Sequence, residues 1–175
     1  MAILKVPVTS EDHIQGEENA LITLVEYGDY ECSFCGMAYS TVKKVQKHFD
    51  KQLRFVFRNF PLSEVHPFAE IAIETAEFAG DYERFWEMHD LIYENQSRLS
   101  LSLLLELTET LGLSVRNLEL AIEKKVYKPK IQKDFLGGVR SGVNGAPTFF
   151  INDHRYNGAC EFEGLVSAID SVLVK

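Results

Sequence analysis

The 175 residues carry 18 Lys+Arg against 26 Asp+Glu, a formal charge of −8, which argues against a surface whose main task is to bind phosphate or nucleic acid. With 46% hydrophobic and 25% charged residues, 11 Gly and 5 Pro, the chain is too apolar for disorder and long enough to bury a core without cross-links. Three cysteines are too few for a disulfide scaffold, and the odd number leaves one without an intramolecular partner, so a close pair reads as chemistry before structure.

In chain order, the first thirteen residues lack the apolar core of a signal peptide, because charges and Pro7 interrupt it. A natural start at Met1 predicts a cytoplasmic protein; a chain trimmed of a leader would work outside the cytoplasm. Residues 20–27 are an apolar run bounded by Asn19 and by Gly28-Asp29, and read as a buried strand. From about 32 to 49, Ala38, Val42, Val45 and Phe49 recur at helical spacing while Lys43, Lys44 and Lys47 face outward, predicting an amphipathic helix that begins at or just before Cys32. Residues 53–58 form a second strand, the short crossover implies parallel pairing, and Pro61 ends the unit.

From about residue 66 to 141 every signal is helical. Pro67 stands near a first turn, Gly80 and Asp81 make a stop and a start, and Gly112 and Ser114 make another, for roughly four or five helices. The richest apolar stretch, 99–113, is broken by Ser100, Ser102, Glu106 and Glu109 and falls short of the ~20 apolar residues that span a bilayer, so no membrane insertion is expected. The strand pattern returns at 148–151, turns at Asn152-Asp153 and resumes near Arg155-Tyr156. A last helix follows over about 162–173, with Phe162, Leu165, Ile169 and Val172 on one stripe. No Pro-, Gly- or Ser-rich linker separates these parts, so one α/β domain is expected over residues 1–175, with a helical insertion at about 64–141.

Cys32-Ser33-Phe34-Cys35 follows a predicted strand and opens a predicted helix, the setting in which a Cys-X-X-Cys pair does redox work. Free backbone N–H groups and the positive end of the helix dipole favour an anion there, which makes Cys32 the expected nucleophile. Cys35, one turn on, is within disulfide reach yet more enclosed, and suits the role of resolving a mixed disulfide. Half a zinc site is the bland alternative. It needs two more ligands, only Cys160 remains among the thiols, and His13, His48, His66, His89 and His154 show no paired spacing, so no metal is expected. Haem attachment would need a histidine where Gly36 stands, and no cofactor is expected. Pro147 enters a strand after Gly145, which is compatible with a cis bond, although alone it reads as a loop stiffener.

Together, a Cys-X-X-Cys at a strand-to-helix junction, a proline before a late hairpin and a long helical block between them resemble the thioredoxin superfamily, and its DsbA-like branch in particular. The resemblance covers about residues 8–173. The strings Leu24-Val-Glu-Tyr-Gly-Asp-Tyr-Glu-Cys32, Phe55-Val-Phe-Arg-Asn-Phe-Pro-Leu62, Phe85-Trp-Glu-Met-His-Asp-Leu91 and Gly145-Ala-Pro-Thr-Phe-Phe-Ile151 are similar to those of bacterial DsbA-family oxidoreductases.

This resemblance implies a thioredoxin-like fold with a helical insertion, and disulfide exchange with protein substrates. Cys32 would attack, Cys35 would resolve, Pro147 would be a cis-proline facing the pair, and backbone groups of Ala146 would pair with an extended substrate strand. It also implies a buried acid at Glu26 with a raised pKa, able to take a proton from Cys35 directly or through water. Asp29 and Glu31 are expected to serve the helix N-terminus, where their charge opposes thiolate formation at Cys32. Strongly oxidising members carry a histidine before the second cysteine. Phe34 stands here and offers shape without charge, which implies a moderately lowered Cys32 pKa and an intermediate or reducing potential. Such a protein would reduce or isomerise disulfides in a reducing cytosol and oxidise thiols elsewhere.

Phe34, Tyr30 and the Phe149-Phe150 pair are candidates for an apolar collar for unfolded substrate. Only Phe34 is assigned to the surface, because strand neighbours alternate and at least one ring of the pair must face the core. Cys160 reads as a buried small apolar residue, Trp86 with Phe85, Met88 and Ile92 as helical core, and His89 as a structural histidine. His66 precedes Pro67 and its spacing assigns it no role. The expected partners are protein thiols and disulfides and a redox partner, with no nucleic acid. The competing reading is a non-catalytic thioredoxin-fold binder, a holdase or a thiolate metal binder, which would have no two-electron potential.

Overall fold

The computed structural model describes residues 2–174. In chain order these form β1 (His13–Gln15), β2 (Ile22–Gly28), α1 (Ser33–Phe49), a 3-10 turn (Asp50–Gln52) and β3 (Leu53–Asn59). Five helices follow: α2 (Ala69–Gly80), α3 (Phe85–Glu94), α4 (Leu101–Thr110), α5 (Val115–Glu123) and α6 (Lys128–Arg140), with a 3-10 turn (Gln96–Arg98) after α3. The chain closes with β4 (Thr148–Ile151), β5 (His154–Tyr156) and α7 (Phe162–Leu173). The order of strand, helix, strand, helical block, hairpin and helix is the one its periodicity predicts.

The strands form one sheet in the order β1-β3-β2-β4-β5. β2 and β3 pair in parallel, as their helical crossover requires, while β4 runs antiparallel to β2 with Glu26 opposite Phe149. Strand β1 lies antiparallel to β3 and escapes the sequence reading: a three-residue strand with one apolar residue, Ile14, carries no measurable period. Strand β2 begins at Ile22 and not at residue 20, and Leu21 stays exposed.

Both faces of the sheet are covered, which is why β2 is apolar throughout. On one face Leu24 packs with Ala38, Val42 and Val45 of α1, Leu165 and Ile169 of α7, and the apolar sides of α2 to α5. On the other, Val25, Tyr27, Val56 and Phe150 meet Leu4, Phe60 and Val143. Phe149 and Phe150 are therefore both buried, one on each face, where alternation alone required only one. Helix α6 crosses the second face closely because Gly138 has no side chain: a Cβ there would stand 2.9 Å from the Phe60 ring and 3.0 Å from that of Tyr27. Each large side chain so buried contributes roughly 1.5–3 kcal/mol.

The N-terminal segment is fastened to the second face by Arg58 of β3. All five guanidinium N–H groups find acceptors: Nε and Nη2 take the Asp12 carboxylate at 2.8 and 2.9 Å, Nη1 donates to Val6 O and the Tyr27 hydroxyl, and Nη2 to Pro7 O.

Candidate active site

Cys32 is the N-cap of α1, with extended backbone and no side chain capping the helix. The helix therefore begins at Ser33, one residue after the nucleophile, and its unpaired N–H groups meet a sulfur and not a carboxylate. The Cys32 thiol is brought down to about 6, chiefly by a hydrogen bond from the Cys35 thiol, against the opposing effect of burial, with further help from the backbone N–H groups of Cys35 and Phe34. As a thiol, Cys32 Sγ donates to the carbonyl of Ala146 at 3.4 Å, a bond that ionisation gives up. That carbonyl precedes a cis Ala146-Pro147 bond, which sets the proline loop against the dithiol.

Cys35 is fully buried, and burial together with its hydrogen bond to Cys32 pushes it well above the ordinary thiol value. The two sulfurs thus differ in the way exchange chemistry needs: one ionised near neutrality, one holding its proton. Glu26 shares the Leu24 face of β2 and lies between its register partners Phe57 and Phe149. Burial first, and the charge of Cys32 second, raise its carboxyl to about 8, and its Oε1 has no hydrogen-bond partner among the described residues.

Phe34 is 67% exposed beside the dithiol, and Met37 one turn on is equally open. Tyr30, read as part of the same collar, is instead fully buried, with its hydroxyl 2.9 Å from His89 Nδ1. Its ring packs inward on Phe57 and Tyr93. Cys160 is half-buried beside Pro147 and Tyr156, and burial, then the charge of Glu26, raises it to about 12.

Asp29 and Glu31 do not serve α1. Asp29 is fully buried and accepts from the Glu31 and Leu62 N–H groups, both at 2.8 Å, while His66 Nδ1 stands 2.8 Å from its Oδ2. Glu31 accepts from the N–H of Phe68, the N-cap of α2. The acids before the dithiol thus pin the β3–α2 loop. Gln96, in the turn after α3, was unmarked in the sequence: its Nε2 donates to the carbonyls of Tyr30 and Cys32 at 2.8 Å and ties the helical block to the dithiol loop. A groove of about 770 Å³ runs from Leu62 and Asn144 between the β3–α2 loop and α6, with Val65, Leu136 and Val139 exposed along it.

A sheet with a dithiol at a helix N-terminus and a cis-proline loop against it defines a thioredoxin-type redox scaffold. The family model for thioredoxin matches residues 8–171, and the chain belongs to that family. The fold is that of DsbA-type members: the oxidised crystal structure of BdbD from Bacillus subtilis superposes with a TM-score of 0.87 at 22% identity, covering 99% of each chain. Alpha-DsbA1 from Wolbachia pipientis superposes with a TM-score of 0.84 at 20% identity, covering 97% of this chain and 94% of that one. In sequence, the chain is 40% identical over 169 residues to the Na(+)/H(+) antiporter NhaA 1 of Salinispora arenicola, covering 96% of this chain and 26% of that protein. The chain is 37% identical over 169 residues to the Na(+)/H(+) antiporter NhaA 3 of Salinispora tropica, covering 96% of this chain and 26% of that protein. The chain thus spans about a quarter of the length of these curated relatives.

Proposed function

We propose that the chain exchanges disulfides with polypeptide substrates through Cys32 and Cys35. The observation that carries this reading is the split between the two thiols, one lowered to about 6 and the other raised by burial. The Cys32 thiolate attacks one sulfur of a substrate disulfide; that S–S bond breaks, and the other substrate sulfur leaves as a thiolate that takes up a proton. Cys35 then gives up its proton and attacks Cys32 Sγ, the mixed disulfide breaks, and the second substrate thiol departs, so the substrate gains the two electrons the protein loses.

Glu26 is the base for the second step. Part of its raised pKa comes from the Cys32 charge, and that charge is gone once Cys32 is in the mixed disulfide. The carboxyl then ionises more readily at the moment Cys35 must lose its proton. Pro147 and Ala146 hold the substrate strand by backbone pairing, and the exposed Phe34 supplies apolar contact beside it. A thiol near 6 lies between thioredoxin-like and strongly oxidising sites, which supports a potential between roughly −270 and −120 mV.

Insulin reduction with dithiothreitol as electron source tests this reading. The native protein accelerates precipitation, Cys32→Ser abolishes the acceleration, and Cys35→Ala accumulates mixed disulfides. Undiminished activity in Cys32→Ser would remove the exchange mechanism.

A further inference from the structure

Asp29 joins the dithiol to the rest of the molecule through both its backbone and its side chain. Its N–H donates to Cys35 Sγ at 3.4 Å and its carbonyl accepts from the Cys32 N–H at 3.2 Å. Its carboxyl is met by the N–H groups of Glu31 and Leu62 and by His66 Nδ1. Two backbone N–H donors and an imidazole nitrogen around one fully buried carboxyl favour negative charge on its oxygens. A negative charge at this place opposes a second one on Cys32, and its repulsion is among the effects that raise the Cys32 thiol.

The groups facing Asp29 offer little to balance that charge. Glu31 on the same loop is acidic. Cys35 of α1 and Tyr93 of α3, whose hydroxyl is 3.5 Å from the Asp29 carbonyl, are held neutral by burial. Glu64 and Glu70, the charged neighbours of His66 in sequence, are acidic as well. His66 is the one group among these that can carry a positive charge, and it makes an ion-pair contact with Asp29 at 2.8 Å.

We propose that protonated His66 is the counter-ion of Asp29 and that this pair shifts the pH range over which Cys32 serves as a nucleophile. The role rests on the exchange reading given above and adds regulation to the same site. His66 is a positioning residue, because it acts on Cys32 through Asp29. When the imidazolium is present the thiolate faces a neutral pair; when its proton leaves, the thiolate faces the Asp29 charge alone. The raised pKa of His66 agrees in direction: burial lowers it, but the hydrogen bond and charge of Asp29, then the charges of Cys32 and Glu31, outweigh burial. Coupling of this kind is reciprocal, so the thiolate holds the proton on His66 as firmly as that proton holds the thiolate.

The test is the pH profile of Cys32 alkylation by iodoacetamide in the reduced protein, paired with NMR titration of the His66 ring. His66→Gln keeps a hydrogen-bonding group without the charge and moves the alkylation midpoint up from about 6 by roughly half to one unit. Adding Asp29→Asn to His66→Gln removes the uncompensated charge and returns the midpoint toward its native position. In the otherwise native protein, Cys32→Ser lowers the His66 pKa, a readout that needs no change at His66 or Asp29. A His66→Gln midpoint equal to the native one, or a His66 titration indifferent to Cys32→Ser, would each overturn the proposal. Neither measurement uses a protein substrate. Failed insulin reduction with intact coupling therefore rejects exchange alone, and active insulin reduction without coupling rejects the role of His66 alone.

Discussion

Asp12 and Glu26 are both shielded from water, on opposite faces of the sheet, and they live in opposite electrostatic circumstances. On the α6 face, Asp12 is held by the two-pronged contact of Arg58, and this outweighs the burial that would raise its carboxyl, so the group sits below the usual value. On the α1 face, Glu26 lies between two phenylalanine rings with one oxygen unpaired, and its carboxyl sits near 8. The first arrangement resembles a structural joint, with every donor of Arg58 occupied. The second carries a cost that packing alone does not explain, and such sites gather where protons move.

The sharpest test of that contrast is to remove Arg58. Arg58→Leu leaves the Asp12 charge buried without its partner and frees the carbonyls of Val6 and Pro7, so it costs about 3–5 kcal/mol in urea unfolding. The same variant leaves the Cys32 alkylation midpoint in place. A midpoint that moves with it would erase the distinction between the two faces.

Glu26 produces a smaller effect, of opposite sign. Its folded pKa of about 8 stands above the ordinary 4.5, so the folded state binds the extra proton and stability falls as pH rises between these values. The slope is at most about 1.4 kcal/mol per unit. Cys32 works the other way: lowered to about 6 from 9.0, its thiolate adds stability as pH rises from 6 to 9. Urea unfolding at pH 5, 6.5 and 8 is therefore read in a Cys32→Ser background and compared between Glu26→Leu and its parent, because Glu74, raised by burial to about 7, adds a decline common to both. There Glu26→Leu flattens the decline and leaves the protein more stable than its parent at pH 8. A decline as steep in Glu26→Leu as in its parent would mean that the acid is solvated after all.

What the sequence showed and hid follows from the range of each interaction. Strand β2, helix α1, the β4–β5 hairpin and α7 announce themselves through period and turn residues, signals confined to about a dozen neighbours. The Cys-X-X-Cys was equally plain, and Glu26, inside an apolar run, was picked out by the family resemblance. Asp29 looked like a helix cap because it lies three residues before Cys32, whereas its side-chain partner His66 is 37 positions away. Gln96 reaches Cys32 across 64 positions and leaves no local trace. Tyr30 stayed only a candidate for the collar for the same reason: its inward direction is set by His89 and Tyr93, side chains 59 or more residues later. Local pattern located the reacting atoms, and distant side chains set their electrostatics.

The smallest effect asks whether the dithiol face also holds a fully satisfied contact. A Cβ on Gly36 would fall 2.2 Å from Gln96 Oε1, so Gly36→Ala must swing that amide away and release its bonds to the Tyr30 and Cys32 carbonyls. Two such bonds are worth about 0.5–1.5 kcal/mol each, while replacing a helical glycine by alanine returns about 1 kcal/mol. The terms partly cancel, and the single variant is destabilised by about 0–2 kcal/mol. In a Gln96→Ala background the obstruction is gone, and the same substitution stabilises by up to about 1 kcal/mol. The change of sign is what a double-mutant cycle reads, and it is cleaner than either magnitude because the helix-propensity gain is common to both backgrounds. Equal effects in the two backgrounds would mean that Gln96 does not rest over Gly36 in solution, and the helical block would then have to position the dithiol loop through apolar packing alone.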